Sequence, residues 1–313
     1  MEKVLIIGNG FDLDLGLKTS YYDFMQSPFF KNLDKSSDLM KHILFKESIS
    51  KWIDLETEIK NIISSKKGFF SRGDNAKNPP FDNVFKANKD SYFQLTDALM
   101  DYLKSLDYKN LNKESIAYIL LKSVIENDYF EIFSFNYTDL NDINSSLNIN
   151  NCTYNHVHGS IENSDIILGF EDEVDVIDEY CFMIKSHSPY YRSSNIRQSL
   201  YKAEEIVFFG HSLGITDYHY FSDFFSEQSG NNGTPKKKKT IRIFTYDENS
   251  RQNILVQLRN MNKWKTNQLY DLNDFRIYCT SKLENKKYIE EYCGKLVNDS
   301  KKNHFTRMES III

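Results

Sequence analysis

The sequence predicts an α/β protein with a Rossmann-like, three-layer parallel sheet and a large helical insertion after the first βα unit. Short, continuous apolar runs such as VLII and IVFF are typical of strands that are buried on both faces of a parallel sheet. Segments with apolar residues at helical spacing separate these runs, and polar turn residues follow them. With 313 residues, of which 40% are hydrophobic, the chain is long enough to bury a substantial core, and we expect a single domain over residues 1–313.

The first strand is predicted at the start of the chain, where VLII precedes Gly8, Asn9 and Gly10. A glycine directly after a strand allows the backbone to approach a ligand, because no Cβ atom intervenes. The turn therefore favours a nucleotide-binding site. Leu13 stands where the dinucleotide pattern G-x-G-x-x-G has its third glycine, which disfavours a hydride-transferring Rossmann enzyme. The alternative is an ordinary glycine turn after a core strand.

Helices are predicted for most of the next hundred residues. A short apolar helix opens at Phe11, and Thr19 or Ser20 caps the following one. Apolar residues at helical spacing then predict helical segments over Leu39–Phe45, Ile49–Ile63 and Val84–Leu103. The segment Ser64–Pro80 is polar and bears glycine and proline, so we predict a loop there. This whole region, residues 20–128, is expected to form the helical insertion.

Trp52 and Glu56 lie four residues apart inside this region, so they share one face of a helix. An acid beside a tryptophan can line a pocket. The alternative is a half-buried aromatic side chain beside a solvated charge.

A second strand is predicted over Tyr129–Phe135, after an amphipathic helix over Ser115–Glu126. Asn136 and Asp139 follow this strand in the sequence NYTD. Because ligands bind beyond the carboxyl ends of strands in open α/β sheets, both side chains are candidates for chemistry. The alternative is that they cap the helix that comes next.

Two histidines accompany the next predicted strand, Cys152–His156. His156 and His158 are two residues apart, so they point to one side of a strand. This arrangement suits a metal, but no third and fourth ligand lies nearby in the sequence. His158 precedes Gly159, which keeps access open and suits a general base. Structural histidines with satisfied hydrogen bonds are the alternative.

Four further strands are predicted towards the end of the chain, together with one helix. The strands are Asp165–Phe170, Glu205–Gly210, Thr240–Tyr246 and Phe275–Cys279, and the helix is Asp247–Met261. The acidic run EDEVDVIDE follows the first of these strands, and it either binds ribose hydroxyls or forms a solvated loop. A polar helical stretch that includes Tyr190, Arg192 and Arg197 precedes the second strand.

The segment Ser226–Lys239 is predicted to be a flexible loop that ends in four lysines, Lys236–Lys239. Such a run is typical of solvated surface, and contact with nucleic acid or another acidic partner is the alternative. The formal net charge of -5 disfavours nucleic acid as the main partner.

The four cysteines are far apart and form no C-x-x-C pair, which disfavours a zinc site or a disulfide framework. The chain shows no signal-like segment and no apolar run of about 18 residues. We therefore expect a cytoplasmic protein that does not contact the membrane.

Gly210-His211-Ser212-Leu213-Gly214 matches the pattern G-x-S-x-G of a nucleophile elbow and follows an apolar strand. A serine hydrolase of this kind needs an acid and a histidine after the serine. His219 would lie in the helix that the elbow opens, and His304 lies in a polar tail. A hydrolase that uses Ser212 is therefore kept as an alternative to the nucleotide site.

Six motifs taken in order resemble the AbiH family of bacteriophage abortive-infection proteins, over residues 4 to about 225. They are GNGFDLDLGLKTSYYDF, WIDLE, FNYTD, HVHGS, LGF and GHSLGITDYHYF. Families of this kind are similar to the sirtuin-like NAD-cleaving domains of other phage-defence proteins. The zinc-binding cysteines of sirtuins are absent, and Asp12 stands where the sirtuin-like glycine loop usually has serine.

The resemblance implies an anti-phage effector that hydrolyses the N-glycosidic bond of NAD or a related nucleotide, which is a substrate or ligand and not a true cofactor. Asn136 would orient the water or the ribose, His158 would act as the base, and Asp12 would contact a ribose hydroxyl or take part in the chemistry. The implied nucleotide-binding residues are Gly8, Asn9, Gly10, Phe11, Asp139, Gly159, Gly210, His211, Ser212 and Asp217, and no metal ligand is implied.

A non-catalytic nucleotide sensor that acts through a partner would use the same residues and is the second hypothesis. A ribonuclease that uses the lysine run and the paired histidines is a further alternative, which the net charge disfavours. Besides the nucleotide, the expected partners are a second copy of the chain or another protein of a defence system, and a phage trigger of unknown identity.

Overall fold

The apolar runs of the sequence form a six-stranded, all-parallel sheet in the computed structural model, which describes residues 2–49, 54–70, 79–126, 130–149, 153–235 and 237–309. The strands are β1 (Lys3–Ile7), β2 (Phe130–Ser134), β3 (Tyr154–His156), β4 (Glu205–Phe209), β5 (Thr240–Thr245) and β6 (Asp274–Cys279). Their spatial order is β3-β2-β1-β4-β5-β6, so the order reverses between β1 and β4. The predicted Rossmann-like α/β class is confirmed.

Helices make up most of the remaining described residues. The α-helices are α1 (Asn9–Asp14), α2 (Tyr21–Gln26), α3 (Pro28–Lys31), α4 (Asp38–Ile49), α5 (Leu55–Phe70), α6 (Pro79–Lys104), α7 (Ile116–Ile125), α8 (Leu140–Leu147), α9 (Ile196–Lys202), α10 (Tyr218–Gln228), α11 (Glu248–Met261), α12 (Thr266–Leu272) and α13 (Leu283–Glu309). Short 3-10 helices span Asp178–Met183, Lys185–His187 and Ile215–Asp217. In the described ranges no helix is both long and apolar enough to cross a membrane.

The chain divides into two compact units. The first unit consists of Met1–Leu17, Asp107–Val157 and Ser193–Ile313, and it contains the sheet. The second unit consists of Lys18–Leu106 and His158–Arg192. Residues 20–106 of the predicted insertion therefore belong to the second unit, whereas α7 belongs to the first.

Helices cover both faces of the sheet in the first unit. All five residues of β1 are buried, and Val4 and Ile6 pack in one core with side chains from α9, α10, α11 and α12. On the other face, Phe11 of α1 meets Phe209 edge to face, with ring centroids 5.8 Å apart. The helices α1 and α13 both pack against α7, and Tyr292 of α13 contacts the ring of Phe244. Continuous apolar strands are required because the sheet has no solvent-facing side here.

The second unit contains α2 to α6. The predicted helical segments overlap α4, α5 and α6, but most of the observed helices begin or end several residues away from the predicted bounds. The Ser20 hydroxyl oxygen caps α2 by accepting a hydrogen bond from the Asp23 amide at 3.0 Å. The predicted loop is wrong at its start, because α5 continues from Ser64 to Phe70. Residues 71–78 lie outside the described ranges. Polar residues do not by themselves end a helix, and lysine is a good helix former.

The predicted strand Asp165–Phe170 is wrong. The apolar side chains of this segment are buried in the second unit, and the Ile167 amide donates to the carbonyl of His158 at 2.8 Å. Phe170 forms only an isolated bridge with Ile184. A short apolar run signals burial, and burial alone does not place a segment in a sheet.

Several element boundaries and two helices also differ from the predictions. The first helix begins at Asn9 and includes Gly10, two residues before the predicted start. Tyr190 and Arg192 precede α9, so of the three residues named for the predicted polar helix only Arg197 is helical. The helices α12 and α13 are absent from the predictions, because their polar sequences carry a weak periodic signal. Tyr129 and Cys152 lie outside the described residues.

Candidate functional site

Three predicted segments leave the sheet at the same edge in the first unit. Parallel pairing places Ile7 of β1 level with Ser134 of β2 and with Phe209 of β4. The glycine turn, the NYTD segment and the GHSLG segment therefore begin side by side. This edge lies where the strand order reverses, which is the usual ligand position in open α/β sheets.

The turns after β1 and β4 are interlocked through their glycines. The Gly8 amide donates to the carbonyl of Phe209 at 3.0 Å, and the Gly10 amide donates to the carbonyl of Gly210 at 2.9 Å. A Cβ atom on Gly8 would lie 2.5 Å from the Cα atom of His211. The close backbone approach that glycine allows at this turn is therefore made to the turn after β4 and not to a ligand. In this conformation the two amides are engaged and are not offered to a phosphate.

Asp12 is fully buried at this edge, in the first turn of α1. Its Oδ2 atom accepts a hydrogen bond from the Thr138 hydroxyl at 2.9 Å, whereas its Oδ1 atom has no hydrogen-bond partner within the described ranges. Burial raises the pKa of Asp12 from 3.8 to about 7, and hydrogen bonding from Thr138 and Asn136 opposes this rise. A carboxyl group with such a pKa exchanges its proton near neutral pH, as many catalytic acids and bases do.

Asn136 and Asp139 have different structural roles. The Asn136 side-chain amide donates to the carbonyl of Gly8 at 3.0 Å, which ties the end of β2 to the turn after β1. Asp139 caps α8, because its Oδ1 atom accepts from the amides of Asn141 and Asp142 at 2.9 and 3.0 Å. The capping alternative therefore applies to Asp139. Asn136 stands next to the buried carboxyl group.

Tyr108 is a member of this cluster that the sequence analysis missed. It is buried, and burial raises its pKa, with the charge of Asp12 as the next largest cause. The Asp139 amide lowers this pKa by a hydrogen bond to the tyrosine. Tyr108 lies in the polar segment before α7 and belongs to no motif, so no signal in the sequence could have found it.

His211 is buried between the ends of β1 and β4. Its Nδ1 atom accepts a hydrogen bond from the Leu213 amide at 3.0 Å, so the ring proton lies on Nε2. That nitrogen lies 3.5 Å from the Asp217 carboxylate. The rings of Phe135 and Phe221 meet the imidazole at edge-to-face angles. The imidazole therefore serves to position the loop after β4.

The serine of the G-x-S-x-G sequence does not form a nucleophile elbow. Ser212 is exposed, and it is Leu213, with φ of 53°, that adopts the left-handed conformation. A 3-10 helix intervenes before α10 begins at Tyr218. The two ring nitrogens of the adjacent His211 face the Leu213 amide and the Asp217 carboxylate. The other two candidate histidines, His219 and His304, lie in the helices α10 and α13. The geometry therefore disfavours a serine hydrolase.

The remaining predicted ligand contacts at this edge differ in exposure. Asn9 is exposed at the start of α1, whereas Phe11 points into the core against Phe209. Gly210 has φ of 64°, and a Cβ atom there would lie 2.4 Å from the backbone of Gly10. The structure thus gives Phe11 and Gly210 packing roles in this conformation.

His158 and Gly159 belong to the second unit. His158 is 3% exposed, and its Nε2 atom lies 3.2 Å from the Lys185 ammonium group. A Cβ atom on Gly159 would lie 2.0 Å from the carbonyl oxygen of Asp165, so a tight turn requires this glycine. The two histidines do not share a strand face, because β3 ends at His156.

In the described part of the second unit, two ion pairs include a buried glutamate, and one of these pairs contacts His158. Lys185 donates to Glu56 at 3.0 Å, and Lys60 forms an ion pair with Glu171. Glu56 is thus a buried charge and not a solvated one, while its predicted neighbour Trp52 lies outside the described residues. Glu171, the first residue of the acidic run, is also buried, so this residue is neither solvated nor free for a ribose.

The predicted solvated lysine run is wrong for Lys239. This residue is 3% exposed, and its ammonium group donates to the carbonyl of Tyr201 at 2.9 Å and to that of Ala203. Lys237 is exposed and pairs with Glu204. Lys238 is exposed, and Lys236 lies outside the described ranges. A buried lysine at the end of a helix caps its free carbonyl groups.

Over the described part of the chain, no cluster of three or more His, Cys, Asp or Glu side chains could hold a metal ion. A search of the curated proteins gives no match. The family model of bacteriophage abortive infection AbiH matches residues 4–235, which include the turns after β1, β2 and β4 and the cluster around His158. The chain therefore belongs to the AbiH family of bacteriophage abortive infection, which gives it an anti-phage role.

Proposed function

We propose that the protein acts in abortive infection by hydrolysing the N-glycosidic bond of NAD or a related nucleotide at the edge of the sheet beyond β1 and β4. The observation that carries this proposal is Asp12, a fully buried carboxyl group whose pKa is raised to about 7. The resemblance to sirtuin-like NAD-cleaving domains supports the choice of reaction. The reversal of strand order between β1 and β4 supports the position of the ligand.

Asp12 is the general base of the proposed reaction. The bond between the ribose C1′ atom and the nicotinamide nitrogen breaks, and its electron pair stays on the nitrogen, which neutralises the pyridinium ring. A water oxygen forms the new bond to C1′ and gives its proton to the Asp12 carboxylate. A base with a pKa near 7 is suited to this step at cellular pH. The Asn136 side chain, next to this carboxyl group, positions the water.

The interlocked turns make the described conformation a closed one. Asp12 has no exposed surface, and the amides of Gly8 and Gly10 are bonded to the turn after β4. These turns must separate before a nucleotide can reach the carboxyl group. An effector that kills its own cell has to stay inactive until infection, and a site that opens only on a signal meets this requirement.

The test is to incubate the protein purified from phage-infected cells with NAD and to measure nicotinamide release by chromatography. We expect the wild-type rate to rise with pH to a plateau, with a midpoint near pH 7. Asp12→Asn should lower the rate by about 100-fold or more, which is the usual contribution of a general base. The matched control is Asp223→Asn, because Asp223 is an exposed acid on α10.

Equal rates for Asp12→Asn and wild type, or no release by wild type from infected cells, would contradict the proposal. Calorimetry with NAD then separates the remaining hypotheses. Binding without release of nicotinamide would identify a nucleotide sensor that acts through a partner.

A further inference from the structure

His158 contacts one of the ion pairs of the second unit, and the hydrolysis proposed above uses none of these groups. Glu56 and Lys60 lie one turn apart on α5, and Glu171 and Lys185 lie on the segments joined by the bridge between Phe170 and Ile184. Glu56, Glu171 and Lys185 are 7%, 6% and 2% exposed. Burying so many charges is unfavourable unless each is paired, so their arrangement is specific.

The contacts link Glu56, Lys185 and His158 in that order. The Glu56 carboxylate accepts from the Lys185 ammonium group at 3.0 Å, and this ammonium group lies 3.2 Å from the Nε2 atom of His158. Tyr92 of α6 lies near this pair. Burial raises the pKa of Tyr92, the charge of Glu56 raises it further, and the charge of Lys185 lowers it. Lys60 and Glu171 neutralise each other.

The order of these contacts determines the state of the imidazole ring. An ammonium group has three donors and no acceptor, so Nε2 of His158 has to accept. The ring proton then lies on Nδ1. A second proton on Nε2 would remove this acceptor and would place two positive charges about 3 Å apart in a buried site, which is strongly unfavourable.

We propose that Lys185, held by Glu56, is a positioning residue that keeps His158 neutral with its proton on Nδ1. His158 is then set as a hydrogen-bond donor through Nδ1, and its Nε2 atom is not available as a base. This inference goes beyond the proposed hydrolysis, in which His158 has no assigned role. It also leaves Asp12 as the base of that reaction.

The test is nuclear magnetic resonance of the resting protein labelled with ¹⁵N-histidine, with His158→Gln to assign the signal. For wild type we expect the Nδ1-protonated pattern from pH 8 down to pH 6. Lys185→Met removes the ammonium group beside His158 and leaves the Glu56 carboxylate without it, so we expect the midpoint of His158 protonation to rise by one pH unit or more. Lys185→Arg retains a donor and should retain the wild-type pattern. Lys60→Met is the matched control, because it removes a half-buried lysine from the ion pair with Glu171, and it should leave the tautomer of His158 unchanged.

A wild-type signal with the proton on Nε2, or a doubly protonated ring at pH 7, would overturn the inference. So would a Lys185→Met signal that is identical to wild type. If Lys185→Met does not fold, the inference is tested by the tautomer of His158 in wild type and in Lys185→Arg, and a ring proton on Nε2 in either protein would overturn it. No nucleotide is present in this experiment, so a failure to release nicotinamide cannot be mistaken for a failure of the positioning role.

Discussion

Asp12 is the residue at which stability and function are most clearly opposed. Its carboxyl group is fully buried with one oxygen unpaired among the described residues, and its pKa is about 7, compared with an ordinary value of 3.8. Between these two pH values the folded protein keeps a proton that the unfolded chain has lost. The stabilisation is complete below about pH 4, decreases as the pH rises to 7, and is absent above it. The difference corresponds to about 4 kcal/mol at most.

The first prediction is that Asp12→Asn stabilises the protein at high pH. Because the amide stays neutral, the variant should unfold with a larger free energy than wild type at pH 8, by up to about 4 kcal/mol. The two proteins should differ much less at pH 5. Urea unfolding at both pH values measures this difference. A variant that is less stable than wild type at pH 8 would show that the buried carboxylate is stabilised by a group other than Thr138 and Asn136.

Lys239 shows how one residue of a charged run can become part of the structure. It follows three further lysines in the sequence, yet it alone among the described ones is buried, on the carbonyls of Tyr201 and Ala203. These carbonyls lie at the end of α9, where the helix has no further amides to satisfy them.

We predict that Lys239→Met lowers the free energy of unfolding by about 1–3 kcal/mol, because it leaves buried carbonyl groups without a donor. Lys238→Met is the matched control, since Lys238 is exposed, and it should change stability by less than about 0.5 kcal/mol. Denaturant unfolding of the two variants in parallel provides the comparison. Equal effects would mean that the run acts through its net charge alone.

At the scale of elements, the turns after β1 and β4 form one rigid joint between the two central strands. Gly210 has φ of 64°, and a Cβ atom on it would lie 2.4 Å from the carbonyl carbon of Gly10. Both the left-handed conformation and the missing side chain are therefore required. Asp12 lies two residues after Gly10, in the helix that begins at this joint.

We predict that Gly210→Ala destabilises the protein by about 3 kcal/mol or more, because the clash involves backbone atoms that cannot move aside. Gly294→Ala is the control. Gly294 lies in α13 with open space around it, so alanine there should stabilise the helix by about 0.5–1 kcal/mol. Thermal unfolding of the two variants measures both effects. A Gly210→Ala variant as stable as wild type would show that the joint opens readily.

At the scale of the whole molecule, membership of the AbiH family connects the protein to defence against phage. In bacteria that express the protein, we expect the efficiency of plating of a sensitive phage to fall. The Asp12→Asn variant should lose this protection by at least tenfold, while Asp223→Asn should retain it. Plaque counts at matched protein abundance provide the measurement. Because Asp12→Asn is expected to be the more stable protein, loss of protection could not be attributed to misfolding.

Local patterns account for most of the fold. The runs VLII, IVFF and TIRIFT are strands because, apart from Arg242, their residues are apolar, β-branched or aromatic, and these properties do not depend on distant parts of the chain. Ser20, Ser115 and Asp247 each precede a helix and cap it through their side chains. The segment Asp165–Phe170 has the same apolar character as a strand, yet the helical unit buries it without a sheet neighbour.

The sequence by itself determined the α/β class, most of the strands and the position of the glycine turn after β1, because apolar runs, caps and turns are local properties. Only the tertiary structure decided the environments of the charged groups. In the sequence Asp12 is an acid in the first turn of a helix, and it becomes a carboxyl group with a pKa near 7 when residues far along the chain enclose it. The states of Tyr108, Lys239 and the ion pairs around His158 likewise depend on long-range contacts, since the free energy of a buried charge is determined by its neighbours in space.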